Sequence, residues 1–309
     1  MMGDGTARPV IIGEVLYDRF EDGSAVLGGA PFNVAWHLQG FGLEPLFISR
    51  VGSDSAGAAI YARMLEWGMG VDGLQLDPRH PTGAVKVELS GGEPRYDICT
   101  DQAYDYIDAD AVHRLLGGVP GALLYHGTLI ARRPESRAAL AACIDAALPV
   151  FVDVNLRAPW WDRSTLLSAV RHARWAKVNE GELTTVLDGV EVRSGHEADA
   201  ALCLRREFDL EGAIVTLGER GALWAESDGV HQGTPPAQES VVDTVGAGDA
   251  FSAVAICGLL RGWSARQTLH RALAFASRLC TVRGATVSDR DFYRAARDQW
   301  AHGEADHEH

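Results

Sequence analysis

A carboxylate stands directly behind a glycine-rich turn in Asp243-Thr244-Val245-Gly246-Ala247-Gly248-Asp249, an arrangement that can move a proton. The apolar run that follows, Phe251 to Leu260, reads as a buried helix. The backbone N–H groups of Gly246, Ala247 and Gly248 would then point outward from the positive end of the helix dipole, a ready site for an anion. Asp249, in the first helical turn, is favoured by the same dipole. A carboxylate beside an anion pocket suits proton abstraction from a hydroxyl that attacks a phosphoryl group. A plain N-cap uses the same letters, so the turn needs partners elsewhere in the chain.

Other stretches offer them. Asp18 follows the apolar run Pro9 to Leu16, which has the form of a buried parallel strand. That places Asp18 at the carboxyl end of the strand, where open α/β sheets bind ligands. Its carboxylate can accept hydrogen bonds from two hydroxyls at once; a turn acid is the alternative. Gly28-Gly29 precede a helix from Pro31 to Gly42 and let backbone come close to a ligand, while Asn33 offers both a donor and an acceptor. Asp153, Asn155 and Arg157 ride every second residue at the end of the strand Val150 to Val154, which puts them on one face. A polar face there implies a ligand or a fixed network. Asn179 and Glu182 face the same way at a helix start, though a capping pair would look identical. Thr216, Gly218 and Gly221 lie at a strand–turn–strand that an ordinary hairpin would also explain.

The elements that must hold these groups alternate along the chain. Leu46 to Gly52 is a strand, Asp54 caps a helix to Trp67, and strand and helix alternate again from Ala122 to Val154. Such alternation argues for a parallel sheet covered by helices. Gly83 to Ile107 differs: Ala84 to Leu89 and Pro94 to Cys99 alternate around a Gly-rich turn, a hairpin with one wet face. Arg95 on it faces either a ligand or solvent. Ala265 to Arg283 is a further helix, and the acidic, His-bearing tail from Ala301 reads as disordered.

The spacing Asp-Thr-x-Gly-Ala-Gly-Asp resembles the C-terminal signature of the ribokinase/PfkB family of carbohydrate kinases. Gly28-Gly29-Ala30-Pro31-Phe32-Asn33-Val34-Ala35, with Gly42 and Gly52 after it, resembles the family's N-terminal signature. Val254 departs from the pattern, standing where the family usually has Gly or Ala, and it bears on helix packing rather than chemistry. The resemblance implies a ribokinase-like three-layer α/β fold with a mostly parallel central sheet and a small antiparallel β lid. It implies one domain over residues 1–300, lid segments near 17–28 and 83–107, and a disordered tail at 301–309.

The activity so implied is transfer of the γ-phosphoryl of ATP to a primary hydroxyl of a sugar. Asp249 would be the base and Gly246, Ala247 and Gly248 the anion hole. Asp18, Gly28, Gly29, Asn33 and Arg157 would hold the sugar; Lys177, Asn179, Thr216, Gly218, Gly221 and Gly284 would face the nucleotide. Asn179 and Glu182 would organise Mg2+ through water, as suits an ion that keeps its waters. Asp243, with backbone near Val245 and Gly284, would adjoin K+. Ser277 stands where many members carry an Asn near adenine. Gly13-Glu14-Val15-Leu16-x-Asp18 and Asp153-x-Asn155-x-Arg157 together resemble the fructokinase branch, so fructose is the expected sugar. A ketodeoxygluconate or nucleoside kinase on the same fold, or a non-catalytic sugar sensor, is the alternative.

Composition bounds the reading. A net charge of −14 argues against nucleic acid or an anionic membrane as partner. No Gly-x-x-x-x-Gly-Lys-Ser/Thr occurs, which excludes a P-loop kinase. Five scattered cysteines, mostly in apolar runs, read as reduced core thiols of a cytoplasmic protein. No leader sequence and no apolar run near the ~20 residues of a membrane span is visible. A homodimer is compatible with all of this.

Overall fold

In a computed structural model, which describes residues 8–90, 93–118, 120–188, 195–238 and 240–305, the apolar run that opens the chain is two strands, not one. β1 (Arg8–Ile12) enters the main sheet, residues 13–15 carry the chain out of it, and β2 (Leu16–Phe20) starts a second sheet. Asp18 therefore belongs to the second sheet. Glu14 takes the position just past the carboxyl end of β1 that the sequence suggested for Asp18.

The chain continues through β3 (Ala25–Gly28), α1 (Ala30–Gly40), β4 (Leu46–Gly52), α2 (Ser55–Trp67) and β5 (Leu74–Asp77). It returns to the second sheet with β6 (Gly83–Ser90) and β7 (Glu93–Ile98), then passes through α3 (Ala109–Leu116) to β8 (Gly121–Gly127). Alternation resumes with α4 (Pro134–Asp145), β9 (Val150–Asp153), α5 (Arg163–Arg171), β10 (Trp175–Asn179) and α6 (Glu180–Val186). After α7 (Glu197–Glu207) come β11 (Gly212–Thr216), β12 (Ala222–Glu226) and β13 (Gly229–Gly233). Three helices close the chain: α8 (Ala247–Arg261), α9 (Ala265–Leu279) and α10 (Arg290–Ala305).

The nine-stranded central sheet has the order β13-β12-β11-β10-β9-β8-β1-β4-β5, and every strand runs the same way except β12, which is antiparallel to both its neighbours near one edge. Helices cover both faces because neighbouring strand residues point opposite ways. Ile11 joins a core with Phe32, Trp36, Phe251 and Leu273, whereas Val10 and Ile12 join the opposite one with Leu140, Leu166 and Leu183. Buried on both faces, these strands carry the continuous apolar runs that marked them in the sequence.

The second sheet, β3-β2-β6-β7, is the expected lid: two antiparallel pairs joined by a parallel pairing of β2 with β6. Its inner face packs Leu16, Val85, Val87 and Ile98 with Tyr104 and Leu129 of the body. The strands of its second segment end at Ile98, short of the expected boundary at 107. Residues 99–107 turn back onto the body, where Asp105 and Arg132 form a buried ion pair at 2.6 Å. The side chain of Arg95 lies outside the described residues.

Three further expectations change. α10 runs on to Ala305, past the point where a tail was expected to begin, because its apolar residues Phe292, Tyr293, Ala296 and Trp300 recur at helical spacing and bury; residues 306–309 lie outside the described residues. Val254 is fully buried without opening the packing, since the close approach of α8 to α9 is at Gly258, where a side chain would overlap Thr268. Of the cysteines, Cys143 and Cys257 are core thiols, but Cys203 is exposed and Cys99 and Cys280 are half-buried. Among the described residues, no helix is long and apolar enough to cross a membrane.

Candidate active site

The start of α8 is shaped by Gly246, which has φ 79° and a position where a Cβ would fall 2.5 Å from Ala285 Cα. Only glycine fits that left-handed, crowded corner. Asp243 fixes the approach: its Oδ1 accepts from Val245 N at 3.0 Å and its Oδ2 from Gly284 N at 2.9 Å. One carboxylate thus ties the glycine turn to the loop behind it. The next acid, Asp249, accepts at Oδ2 from Nδ2 of Asn33 on α1 at 2.8 Å. The opening of α1 is equally tight, for Gly29 has φ 109° and a Cβ there would meet Glu14 O at 2.6 Å.

Burial pushes the Asp249 carboxyl up to about 7, and the charge of Asp153 adds to the effect; Asn33, Lys177 and Arg157 oppose it. A carboxyl poised near neutrality is suited to accepting and returning a proton. Beneath it lies a buried ion pair. Lys177 Nζ donates to Asp153 Oδ2 at 2.7 Å, and the hydroxyls of Ser252 (3.0 Å) and Tyr125 (3.3 Å) reach the same oxygen. Burial works to lower Lys177, but Asp153 outweighs it and holds the ammonium above its usual range.

These groups open into a cleft of about 400 Å³ between the lid sheet and the carboxyl ends of the central strands. Asp18, Gly28, Gly29, Asn33, Arg157, Lys177, Gly246, Gly248 and Asp249 all line it, brought together from distant parts of the chain. Asp18 is half-buried from the lid side; burial raises its carboxyl and Arg157 opposes the shift. Asp153, Asn155 and Arg157 line the cleft too, though not as one strand face. β9 ends at Asp153, and Asn155 has φ 37°, a left-handed turn that breaks the two-residue period. Glu182 holds that turn, its Oε1 accepting from Leu156 N at 2.8 Å.

Of the expected nucleotide and metal residues, Lys177 lines this cleft and the others do not. Asn179 and Thr216 are register partners at the ends of β10 and β11. Asn179 and Glu182 form a capping box: Asn179 Oδ1 accepts from Glu182 N and Glu182 Oε2 from Asn179 N, both at 2.9 Å. Gly218 (φ 60°) and Gly284 (φ 87°) are open, with nothing near a would-be Cβ. Gly221 is glycine for another reason, since a side chain there would overlap the Gly233 carbonyl of β13. Ala247 contributes the first backbone unit of α8.

Sequence reasoning missed Glu14, a 6% exposed carboxylate in the cleft wall. Burial raises its carboxyl; backbone N–H groups of Glu14 and Ala30, with Arg157 and Arg132, work the other way. In the sequence it stands only as a letter of the run Pro9 to Leu16 and of the motif Gly13-Glu14-Val15-Leu16-x-Asp18, and only the exit of the chain after β1 turns it toward the site. Tyr125 and Ser252 were missed because each meets Asp153 from a separate element.

A helix-covered parallel sheet, a carboxylate behind a backbone anion turn and a polar cleft at the strand ends define an α/β phosphotransferase that works without a P-loop. The chain belongs to the pfkB family of carbohydrate kinases, whose sequence pattern it matches over residues 11–291. It is 29% identical over 271 residues to the fructokinase of Klebsiella pneumoniae, covering 82% of this chain and 84% of that one. Identity to the 5-dehydro-2-deoxygluconokinase of Shouchella clausii is 27% over 264 residues, 81% of this chain and 79% of that one. The fold matches the crystal structure of Vibrio cholerae O395 fructokinase, in its fructose-, ADP- and calcium-bound form, with a TM-score of 0.77. At 24% identity, over 94% of this chain and 99% of that one, the match is one of fold.

Proposed function

We propose that this carbohydrate kinase transfers the γ-phosphoryl of ATP to a primary hydroxyl of fructose, with Asp249 as general base. The observation that carries the reading is the Asp249 carboxylate at the cleft floor, aimed by Asn33 at 2.8 Å and standing in the first turn of α8 behind the glycine turn. Asp249 takes the hydroxyl proton as the sugar oxygen attacks the γ-phosphorus. The bond from that phosphorus to the bridging oxygen breaks, and ADP leaves. The N–H groups of residues 246–249 steady the charge on the transferring group.

Asp18, Asn33 and Arg157, with the bare backbone of Gly28 and Gly29, orient the sugar. Thr216, Gly218 and Gly284 border the nucleotide. Lys177 acts from beneath the anion turn, where it also neutralises Asp153. The oxygens of Glu182 are engaged by backbone N–H groups, so the donor set fits a magnesium ion held through water near Asn179 rather than one bound directly. Magnesium, when bound, offsets phosphate charge. Asp243 has acceptor capacity left beside the turn and suits a monovalent cation. Closure of the lid sheet would exclude water that otherwise hydrolyses ATP. ATP as co-substrate and thiols without disulfides suit a cytoplasmic enzyme.

Fructose is supported by the fructokinase relative and by hydroxyl-binding groups at Asp18 and Asn33. Specificity constants for fructose, ribose, ketodeoxygluconate and adenosine, measured together, test it. Fructose should lead. An advantage of about tenfold for any other would overturn the sugar assignment and leave the kinase assignment standing.

A further inference from the structure

Glu14 follows β1 and stands in the same cleft wall as Asp18 and Asn33. Its Oε2 has no hydrogen-bond partner among the described residues, nor has Oδ1 of Asn33, and the two side chains are 6% and 5% exposed. Buried acceptors left unmatched are costly. Two of them in one cleft imply a ligand that donates hydrogen bonds to both. The charges in the cleft point the same way. Glu14, Asp18, Asp153 and Asp249 line it against Arg157 and Lys177, and Lys177 is already committed to Asp153 at 2.7 Å. Of the cations in the lining, Arg157 is left to serve Glu14, Asp18 and Asp249 together, with Arg132 acting on Glu14 from outside the lining.

Building on the carbohydrate-kinase assignment, we propose that Glu14 selects the acceptor, its free carboxylate oxygen taking a hydroxyl of a neutral polyol and repelling a sugar acid. Asn33 is its companion: the amide nitrogen holds Asp249 while the amide oxygen receives a second hydroxyl. A carboxylate-bearing acceptor would bring a further negative charge against Glu14 and Asp18, where Arg157 already has several acids to meet. Selection therefore comes as much from rejecting the acid as from gripping the sugar.

The test compares wild type with Glu14→Gln on the better of fructose and ribose, and on ketodeoxygluconate, with KM for ATP and thermal denaturation followed in parallel. Wild type should favour the neutral sugar by about 100-fold or more in kcat/KM, and Glu14→Gln should narrow that ratio at least about tenfold while KM for ATP stays within about twofold. A merely structural Glu14 would leave the ratio where it was. Phosphorylation of both acceptors at a ratio unchanged within about threefold overturns the proposal and leaves the kinase assignment intact. A wild-type enzyme that prefers the sugar acid overturns it without any variant. No acceptor-dependent ADP release by wild type would sink both.

Discussion

On the proposed mechanism Asp249 is the base, and its surroundings set the pH at which it would work. A base must be ionised, so with its carboxyl at about 7, kcat/KM should rise with pH and level off above neutrality. Asn33 stabilises the ionised form. Asn33→Ala should lower the plateau and move the acid limb to higher pH by roughly one unit. A pH profile whose limb stays in place would show that the Asn33 hydrogen bond does not tune the base. The same shift has a stability consequence with a definite sign. The folded carboxyl lies above its unfolded value, so its contribution is full below that unfolded value and is lost as pH rises through about 7. Asp249→Asn should therefore melt higher than wild type at pH 8 and no higher at pH 4, as expected where function holds a site off its stability optimum.

At this scale the sequence was legible where the chemistry is contiguous. Gly246 to Asp249 form one turn and could be read as such. Glu14 and the Asp153–Lys177 pair were not legible in that way, because their roles depend on what tertiary folding brings against them.

Elements were legible by their patterns, and the departures come from places where pattern carries no direction. β4, α2, β8, β9 and α8 lie within a few residues of where the apolar runs put them. The run Pro9 to Leu16 is interrupted only by Gly13 and Glu14, and nothing in those two letters says that the chain leaves one sheet for another there. Asn155 likewise ends a period-two pattern through backbone conformation alone. The packing of α8 on α9 gives a test at the same scale. Gly258→Val would force a branched side chain into Thr268 and should destabilise the fold by ~1–3 kcal/mol, lowering the melting temperature. Gly258 lies near the far end of α8 from Gly246, so KM for sugar and for ATP should stay as in wild type. A large rise in either KM would mean that the helix transmits strain to the anion turn.

The whole molecule divides the labour between two sheets. The central sheet delivers Asp249, Lys177 and the anion turn from its strand ends and the helices behind them, while the lid sheet brings Asp18 over the opening. The lid should then matter to the sugar more than to the nucleotide. Asp18→Ala removes a partly buried acceptor worth ~1–3 kcal/mol and should raise KM for the sugar roughly 5- to 150-fold, with KM for ATP little changed. Equal effects on both would make Asp18 a general structural acid.

The central claim is that this carbohydrate kinase depends on Asp249 as its base. Steady-state ADP release with fructose and ATP, by wild type and by Asp249→Asn at the same pH, tests it most directly. The variant should retain the wild-type fold and KM for ATP, yet turn over ~10²–10⁴-fold more slowly. Turnover within about threefold of wild type would contradict it, for general-base catalysis is worth far more than that.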